Sequence, residues 1–221
     1  MIKAVIFDMD GLLIDSEPLW QRVNYETYKK LGIELSEKDH LNMIGQRTSE
    51  NVEYLYKQYP WEGPTPQEVE AEVIRGIVKL IKSEGKLMPG VHHALAVCKK
   101  AGLPVAIASS SNSDIIDAVV DTLKIREHFE HIYSAQFEAY GKPHPGVFLK
   151  VAEHFKVSPR DCLVFEDSPS GVLAAKAARM VCVAVPEDST RDHSFVRTAD
   201  MMIGSLEEFD ERMLTRLGSG V

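Results

Sequence analysis

The chain has 221 residues, which suits one large α/β domain or a main domain with a smaller domain inserted into it. Its hydrophobic and charged fractions, 44% and 26%, are ordinary for a globular protein, and no run of about 18 apolar residues predicts a membrane span. The net charge of −8, without any run of lysine or arginine, disfavours nucleic acid and anionic membranes as partners.

The first predicted element is a strand at residues 3–7, where "KAVIF" is short, apolar and rich in β-formers. A helical pattern follows it, with no convincing strand over residues 16–87. Within that stretch Ser36 and Thr48 are predicted N-caps, and Pro66 lies in the first turn of a long amphipathic helix. We therefore interpret residues 16–87 as an inserted, all-helical domain.

Helices and strands alternate through the rest of the chain. Strands are predicted at "PVAIAS", "HIYSA", "CLVFED" and "VCVAV", with a last strand in "ADMMIGSLEEF". This alternation predicts a mostly parallel, doubly wound sheet, and the unbroken apolar character of the strands fits helices on both faces. Residues 1–15 and 88–221 would form this core. Hinges near 15–16 and 87–90 would let the insert act as a lid over a site.

Two aspartates follow the first predicted strand in "FDMDG". Asp8 and Asp10 are two residues apart, so they lie near each other at the end of an extended segment, and Gly11 allows a sharp turn after them. A calcium loop does not fit, because Gly11 takes its fourth position rather than its sixth and a strand leads in. Asp8 would act as a nucleophile, with Asp10 as a proton donor and acceptor beside it.

A second acidic pair, Glu166 and Asp167 in "VFED", ends a later strand. Because ligands of open parallel sheets bind outside the carboxyl ends of the strands, these acids would meet Asp8 at one edge. Such a group of carboxylates predicts a hard, oxygen-preferring cation, and Mg²⁺ is the expected cofactor. Ser168 and Pro169 would also begin the next helix, and the two interpretations are compatible.

Groups that could bind an anion are predicted at the same edge. "IASSSN" places small hydroxyls after a strand and at a helix N-terminus, where Ser109 and the amide of Ser110 are the expected phosphate contacts. Lys142, in the rigid "GKPHPG", would neutralise both Asp8 and a phosphate, which supplies the local positive charge that an acidic chain needs. An ordinary helix cap and a solvated lysine are the alternatives.

The three cysteines are Cys98, Cys162 and Cys182. Their odd number, their wide spacing and the lack of a CxxC pair predict neither a disulfide framework nor a structural zinc site. We expect reduced thiols in or near the core, and from them a cytoplasmic location. The N-terminal sequence has a single lysine before a short apolar run and then acids, which does not match a signal peptide.

These four pieces, in this order along the whole chain, resemble the haloacid dehalogenase superfamily. "DMDG" is similar to its first motif, the Ser109 region to the second, Lys142 to the third and "EDS" to the fourth. The helical insert resembles the C1-type cap of that superfamily. The resemblance implies a Rossmann-like core and Mg²⁺-dependent phosphoryl transfer through an aspartyl-phosphate, with Ser109 and Lys142 binding the transferred group.

The resemblance also implies roles for the acidic residues. Asp8 would attack phosphorus, and Asp10 would protonate the leaving alcohol and then activate the water that hydrolyses the intermediate. Mg²⁺ would be held by Asp8, by the backbone carbonyl of Asp10 and by Asp167. Glu166 would contribute directly or through a water molecule. The metal and the lysine of the third motif would then stabilise the negative charge on the oxygens of the phosphoryl group that is transferred.

Two stretches of the insert, "DSEPLW" and "PWEGPTPQEV", resemble the bacterial hexitol phosphatase and 2-deoxyglucose-6-phosphatase group. This favours a phosphomonoesterase that acts on small sugar or sugar-alcohol phosphates. The alternative is a sugar-phosphate mutase of the β-phosphoglucomutase type, which shares the four motifs but bears a histidine where this chain has Trp20. The name-giving dehalogenases lack the second aspartate of the pair, so Asp10 argues against their chemistry. A non-catalytic binding protein that keeps the fold is a further alternative.

The candidates for substrate contacts in the insert are Glu17, Trp20, Gly45 and Arg47. Arg47 would contact substrate or form a surface ion pair, and Trp20 would pack between insert and core or stack on a sugar. The expected partner is a small phosphorylated metabolite, with no nucleic acid or membrane involved. Because a capped site needs no second chain to close it, we expect a monomer.

Overall fold

The computed structural model describes residues 1–187 and 189–219. Within these residues, six parallel strands form one sheet in the order β3-β2-β1-β4-β5-β6. The strands are β1 (Ala4–Phe7), β2 (Val105–Ser109), β3 (His131–Ser134), β4 (Cys162–Glu166), β5 (Val181–Ala184) and β6 (Met201–Met202). The helices are α1 (Glu17–Lys30), α2 (Glu37–Met43), α3 (Thr48–Gln58), α4 (Pro66–Glu84), α5 (Val91–Lys100), α6 (Ser113–Thr122), α7 (Gly146–Phe155), α8 (Pro169–Ala177) and α9 (Glu211–Gly218). The predicted Rossmann-like, doubly wound α/β core is confirmed.

Strand β1 lies in the middle of the sheet, between β2 and β4. Its Val5 is paired with Val105 on one side and with Leu163 on the other. All four of its residues are buried, because apolar clusters under the helices cover both faces of the sheet. Phe7 stacks on Phe165 with ring centroids 4.9 Å apart, so the core is packed up to the strand end where the first aspartate follows.

Helices α1 to α4, over residues 17–84, form a segment that we call the cap. The cap has a small apolar cluster of its own, in which Tyr28 and Leu55 are fully buried. The inner faces of α1 and α4 also join the main apolar core through residues such as Val23 and Ile77. The cap is therefore packed against the core.

Helices α2, α3 and α4 of the cap each have an acidic residue at the third helical position that accepts the N–H of the N-cap residue. Ser36 is the N-cap of α2, as predicted: its Oγ accepts a hydrogen bond from the Asp39 N–H at 3.2 Å, and Asp39 Oδ2 accepts the Ser36 N–H at 2.9 Å. The prediction for Thr48 is wrong by one residue, since Thr48 is the first helical residue of α3. The cap position is Arg47, because Glu50 Oε2 accepts the Arg47 N–H at 3.3 Å.

The two connections between core and cap lie side by side. The Asp15 N–H donates to Lys86 O at 3.0 Å, and the Met88 N–H donates to Leu13 O at 3.1 Å. These bonds join the connections into a short antiparallel ribbon, while the Asp15 side chain points to solvent. Any movement of the cap would therefore bend both connections together.

Helix α9 is not predicted by the sequence analysis. Asp210 is its N-cap and accepts the Met213 N–H at 2.7 Å, and Leu217 is buried against the main core. The amphipathic pattern is only eight residues long. A helix this short is marginal by itself, so its tertiary contacts decide that it forms.

Two expectations from composition can be compared with the structure. The cysteines at 98, 162 and 182 are all free and buried. Burial raises the pKa of the Cys162 thiol to about 11, which keeps it protonated at neutral pH. No helix within the described ranges has both the length and the apolar character needed to cross a bilayer.

Candidate active site

The carboxyl ends of β1, β2 and β4 meet beneath the cap and form the floor of a cleft. The predicted core residues that line it are Asp8, Asp10, Ser109, Ser110 and Asp167. The predicted cap residues that line it are Glu17, Trp20 and Gly45. Lys142 and Glu166 lie buried beneath the floor, and Arg47 lies beside the cleft rather than in it.

Lys142 lies buried just beneath the floor of the cleft. Its Nζ donates to Asp8 Oδ1 at 2.5 Å, to Glu166 Oε1 at 2.6 Å and to Ala108 O at 3.1 Å. An ammonium group has three protons, so all of them are engaged, and the side chain is only 1% exposed. Lys142 therefore acts on the two carboxylates and presents no unbonded N–H to the cleft.

Burial and the neighbouring opposite charges have opposing effects on the pKa values of Asp8 and Lys142. Burial raises the pKa of Asp8 to about 7, although the Lys142 charge opposes the rise. Burial by itself would lower the pKa of Lys142, but the Asp8 and Glu166 carboxylates outweigh it and raise that pKa above its usual range. The lysine is therefore a fixed cation, and the charge state of Asp8 depends on its surroundings.

Glu166 is anchored at the start of α8. Its Oε2 accepts the N–H groups of Asp167 and Ser168, at 3.1 and 3.2 Å, and the Ser168 hydroxyl at 3.0 Å. Ser168 Oγ also accepts the Gly171 N–H at 3.1 Å, which confirms Ser168 as the N-cap of α8. Because Lys142 occupies its other oxygen, Glu166 holds the lysine in place from below.

Gly11 allows Asp167 to reach the cleft. It has a φ of +70°, in the left-handed region that favours glycine. A Cβ at this position would collide with Asp167 Oδ2. Burial raises the pKa of Asp167 well above its usual value, and the nearby charges of Glu166 and Asp8 add to the rise. The missing side chain of Gly11, in the turn after β1, thus leaves room for the Asp167 carboxylate at the end of β4.

The buried carboxylates at the floor of the cleft could bind a divalent cation. Asp8, Glu166 and Asp167 each offer a carboxylate oxygen, and these oxygens lie within 4.8 Å of one another. Lys142 balances only one of the three negative charges, and no other lysine or arginine is found among the described residues that line the cleft. Hard oxygen ligands with two uncompensated charges suit Mg²⁺. Asp8 and Asp167, which face the cleft, are the residues that could hold it.

Asp10 belongs to a different hydrogen-bond network from that of Asp8. Its Oδ1 accepts from the Ser16 hydroxyl at 2.8 Å and from Trp20 Nε1 at 2.9 Å, and its Oδ2 accepts from the Ser111 hydroxyl at 2.7 Å. Ser16 and Trp20 belong to the start of the cap, whereas Ser111 belongs to the core. Asp10 is thus oriented from both sides of the cleft. Neither Ser16 nor Ser111 is predicted from the sequence as a site residue, although Ser111 is the third serine of "SSSN".

The serines of the second motif lie before the helix rather than at its first turn. Ser109 ends β2, and α6 begins only after Asn112, whose side chain makes no capping hydrogen bond. Ser109 Oγ accepts the Ser111 N–H at 3.0 Å. Ser110 Oγ donates to Gly45 O at 2.8 Å and so ties the cap to the core. Both serines line the cleft, as does Asp8, which directly follows β1.

Arg47 connects the cap with the core loop that precedes Lys142. Its guanidinium donates to Glu138 O at 2.9 Å and to Glu50 Oε1 at 2.6 Å, and Glu50 Oε1 also accepts the Gly141 N–H at 3.2 Å. Burial by itself would raise the pKa of Glu50, but the hydrogen bond and charge of Arg47 lower it. The Arg47 side chain is 16% exposed, so this pair, which we call the Arg47–Glu50 latch, is a cap–core contact rather than a surface ion pair.

We expect Arg47→Ala to raise KM for a phosphate ester about 10-fold with a smaller change in kcat, because charged hydrogen bonds that hold the cap closed are lost. Steady-state kinetics measure the effect. Arg22→Ala is the matched control, since Arg22 makes an exposed ion pair with Glu84 inside the cap at 2.9 Å. Equal KM values for the two variants would contradict a closing role for the latch.

Polar cap residues that the sequence analysis does not single out also line the cleft. They are Gln21, Asn24, His40, Gln46 and Asn51. Helical spacing is the signal that indicates two of them, since Gln21 follows Glu17, and Asn24 follows Trp20, by four residues on α1. The others lie on α2, on α3 and on the loop between them, where spacing along the chain gives no such indication.

The chain is similar to known proteins over most of its length. The family model described as haloacid dehalogenase-like hydrolase matches residues 2–179. Hexitol phosphatase B of Escherichia coli (strain K12) is 39% identical over 214 residues, which cover 96% of this chain and 96% of that protein.

Solved structures resemble the chain over almost its whole length. CbbY from Rhodobacter sphaeroides in complex with xylulose-(1,5)bisphosphate has a TM-score of 0.84 and 27% identity, covering 94% of this chain and 96% of its own. β-Phosphoglucomutase from Clostridium difficile has a TM-score of 0.85, covers 99% of this chain and 98% of its own, and is 24% identical, which shows the fold alone. The family model and the relative that aligns from end to end show that the chain belongs to the haloacid dehalogenase-like hydrolases.

Proposed function

We propose that the protein is a Mg²⁺-dependent phosphomonoesterase that hydrolyses small sugar or sugar-alcohol phosphates through an aspartyl-phosphate intermediate. The observation that carries this proposal is the environment of Asp8. One of its oxygens is held by Lys142, and Oδ2 accepts no hydrogen bond from any described residue. Asp8 therefore offers an oriented, unbonded oxygen to the cleft, with Asp10 and Asp167 beside it.

The proposed first step forms a bond between an Asp8 oxygen and phosphorus while the bond from phosphorus to the ester oxygen breaks. Asp10 gives a proton to the departing alkoxide, so the alcohol leaves neutral. In the second step Asp10, now a carboxylate, takes a proton from water. That water attacks phosphorus, which releases inorganic phosphate and regenerates Asp8.

Groups around the two aspartates would stabilise the transferring charge. Mg²⁺, when held by Asp8 and Asp167, supplies positive charge next to the phosphoryl oxygens. The Ser109 hydroxyl and the backbone amide of Ser110 are the candidate donors to those oxygens, since both residues line the same space and the one hydroxyl proton of Ser110 is already engaged by Gly45 O. We assign Lys142 to fixing and neutralising Asp8 rather than to direct contact with phosphate, since its three protons are already engaged.

The hexitol phosphatase relative supports the substrate class, because it aligns over nearly the whole chain, cap included. The mutase alternative rests on the four shared motifs and on similarity of fold at 24% and 27% identity. Where such mutases carry a histidine, this chain has Trp20, whose indole N–H donates a hydrogen bond to Asp10. An indole donates but does not accept a hydrogen bond, so it cannot relay a proton as an imidazole does. We infer that one chain suffices, because its own cap and core together line the cleft.

We expect p-nitrophenyl phosphate and hexose or hexitol 6-phosphates to be hydrolysed with Mg²⁺, and the rate to fall about 100-fold or more in excess EDTA. Phosphate release measures the reaction, and readdition of Mg²⁺ should restore it. Rates that are the same in EDTA would contradict the metal requirement. Isomerised hexose phosphate with little free phosphate would instead favour the mutase.

A further inference from the structure

We propose that the cap wall of the cleft is a receptor for an uncharged polyhydroxyl group, and that it rejects substrates with a second anionic group. This inference rests on the proposed phosphomonoesterase function and specifies which leaving groups the cleft accepts. It is carried by the kinds of side chain that line the wall and by the charges that are absent from its described residues.

Besides the apolar Met43 and Ile44, the cap wall carries five side chains that can both donate and accept hydrogen bonds. These residues are Gln21, Asn24, His40, Gln46 and Asn51. They come from three helices and a loop, so they surround the leaving-group end of the cleft. Carboxamide and imidazole groups match the hydroxyls of a sugar or polyol, which also donate and accept.

Most of this hydrogen-bonding capacity is not used within the protein. Among the described residues, no hydrogen bond engages the side chains of Asn24, His40 or Gln46, and all three are half-buried. Asn51 donates through Nδ2 to Met43 O at 3.2 Å, and its carbonyl oxygen is left without a donor. Polar groups that reach the cleft without a protein partner are free to bond the hydroxyls of a ligand that enters it.

The wall offers no positive charge from lysine or arginine for a second phosphate. Among its described residues it has none of either, and Arg47, on the loop beside it, is engaged by Glu50 and by the Glu138 carbonyl. Glu17 adds a negative charge at the start of α1, and its Oε1 accepts from Gln21 Nε2 at 3.1 Å. A second phosphate would lose water beside Glu17 without gaining a cation.

The same arrangement distinguishes a polyol phosphate from a phosphate ester without hydroxyls. Polar groups that are buried by an apolar leaving group stay unpaired, and sites built to bond hydroxyls disfavour analogues that lack them. Hydroxyls should therefore contribute to kcat/KM, whereas a second phosphate should lower it. Both effects can be measured with three probes: glucose 6-phosphate, glucose 1,6-bisphosphate and p-nitrophenyl phosphate.

For the charge, we expect kcat/KM for glucose 1,6-bisphosphate to be about 100-fold below that for glucose 6-phosphate. Glu17→Lys should narrow this difference about 10-fold by placing a cation on the wall. Glu62→Lys makes the same charge change at an exposed position of the cap and should leave the ratio unchanged. Equal kcat/KM for the two glucose phosphates in the unmodified protein would overturn the inference.

For the hydroxyl contacts, we expect Asn24→Leu to lower kcat/KM for glucose 6-phosphate about 10-fold relative to p-nitrophenyl phosphate, mainly through KM. Gln46→Leu, on a separate loop, gives a second test should the first variant fold poorly. Gln58→Leu, at an exposed position of α3, is the matched control. If both cleft variants keep the ratio of the unmodified protein, the inference fails. Absence of hydrolysis with all three probes would instead refute the proposed function.

Discussion

Asp8→Asn is expected to lower kcat by a factor on the order of 10⁴ or more while the protein stays folded. An amide oxygen is a far weaker nucleophile than a carboxylate, so the covalent step is lost. The fold should survive because Lys142 keeps its bonds to Glu166 and to the Ala108 carbonyl. Phosphate release measures the first effect, and circular dichroism with thermal unfolding measures the second.

Asp15→Asn is the matched control for that experiment. Asp15 lies in the same acidic stretch, but its side chain is exposed and only its backbone joins the connection between core and cap. We expect its kcat and KM to stay within about twofold of the unmodified protein, as for most exposed substitutions. Turnover retained by Asp8→Asn would rule out the aspartyl-phosphate mechanism, whatever the result with Asp15.

Lys142→Met is expected to lower the free energy of unfolding by about 3–5 kcal/mol in metal-free buffer at pH 8. Methionine keeps most of the side-chain volume but removes the cation, so Asp8 and Glu166 are left buried with no positive partner. We also expect hydrolysis to become very slow, because Asp8 loses the group that orients it. Urea unfolding measures the stability, and Mg²⁺ should recover part of it by supplying positive charge.

The loss of stability should depend on pH. Burial already raises the pKa of Asp8 to about 7 in the presence of Lys142, and removing the lysine would raise it further. An acid whose folded-state pKa is raised stabilises the fold as pH falls through that value, because the folded state then binds more protons than the unfolded chain. The difference between variant and unmodified protein should therefore be largest at pH 8 and shrink towards pH 5.

Lys30→Met is the matched control for charge removal. Lys30 makes an ion pair with Glu72 at 2.5 Å, but the two side chains are 66% and 43% exposed. Exposed pairs contribute about 0–1 kcal/mol, so we expect little change in stability and none in its pH dependence. A Lys142→Met protein as stable as this control in metal-free buffer would show that the carboxylates need no cation.

Local patterns in the sequence predict the fold and much of the floor of the cleft. Alternating strands and helices indicate the doubly wound sheet, and the polar ends of β1, β2 and β4 indicate where its cleft lies. Asp8, Ser109 and Asp167 could be placed together because strand ends in a parallel sheet share one edge. The boundary of α3 and the existence of α9 could not be predicted from the sequence. A single capping hydrogen bond decides the first, and a few tertiary contacts decide the second.

The role of Lys142 could be only partly predicted. Its position near Asp8 follows from the motif order, but the two residues are 134 apart in sequence. Spacing does not reveal that Glu166 and the Ala108 carbonyl take its remaining protons. The sequence therefore indicates a lysine that neutralises both Asp8 and a phosphate, whereas the geometry shows its three protons engaged by protein groups, Asp8 among them.

The sequence by itself determined the fold class and the acidic residues that follow or end β1 and β4, because these follow from local periodicity and residue chemistry. Only the tertiary structure decided which donors orient Asp10 and where Arg47 points. Trp20 and Ser111 come from opposite sides of the cleft, and Arg47 turns to the loop before Lys142. Such contacts depend on how the cap packs against the core, which no pattern along the chain describes.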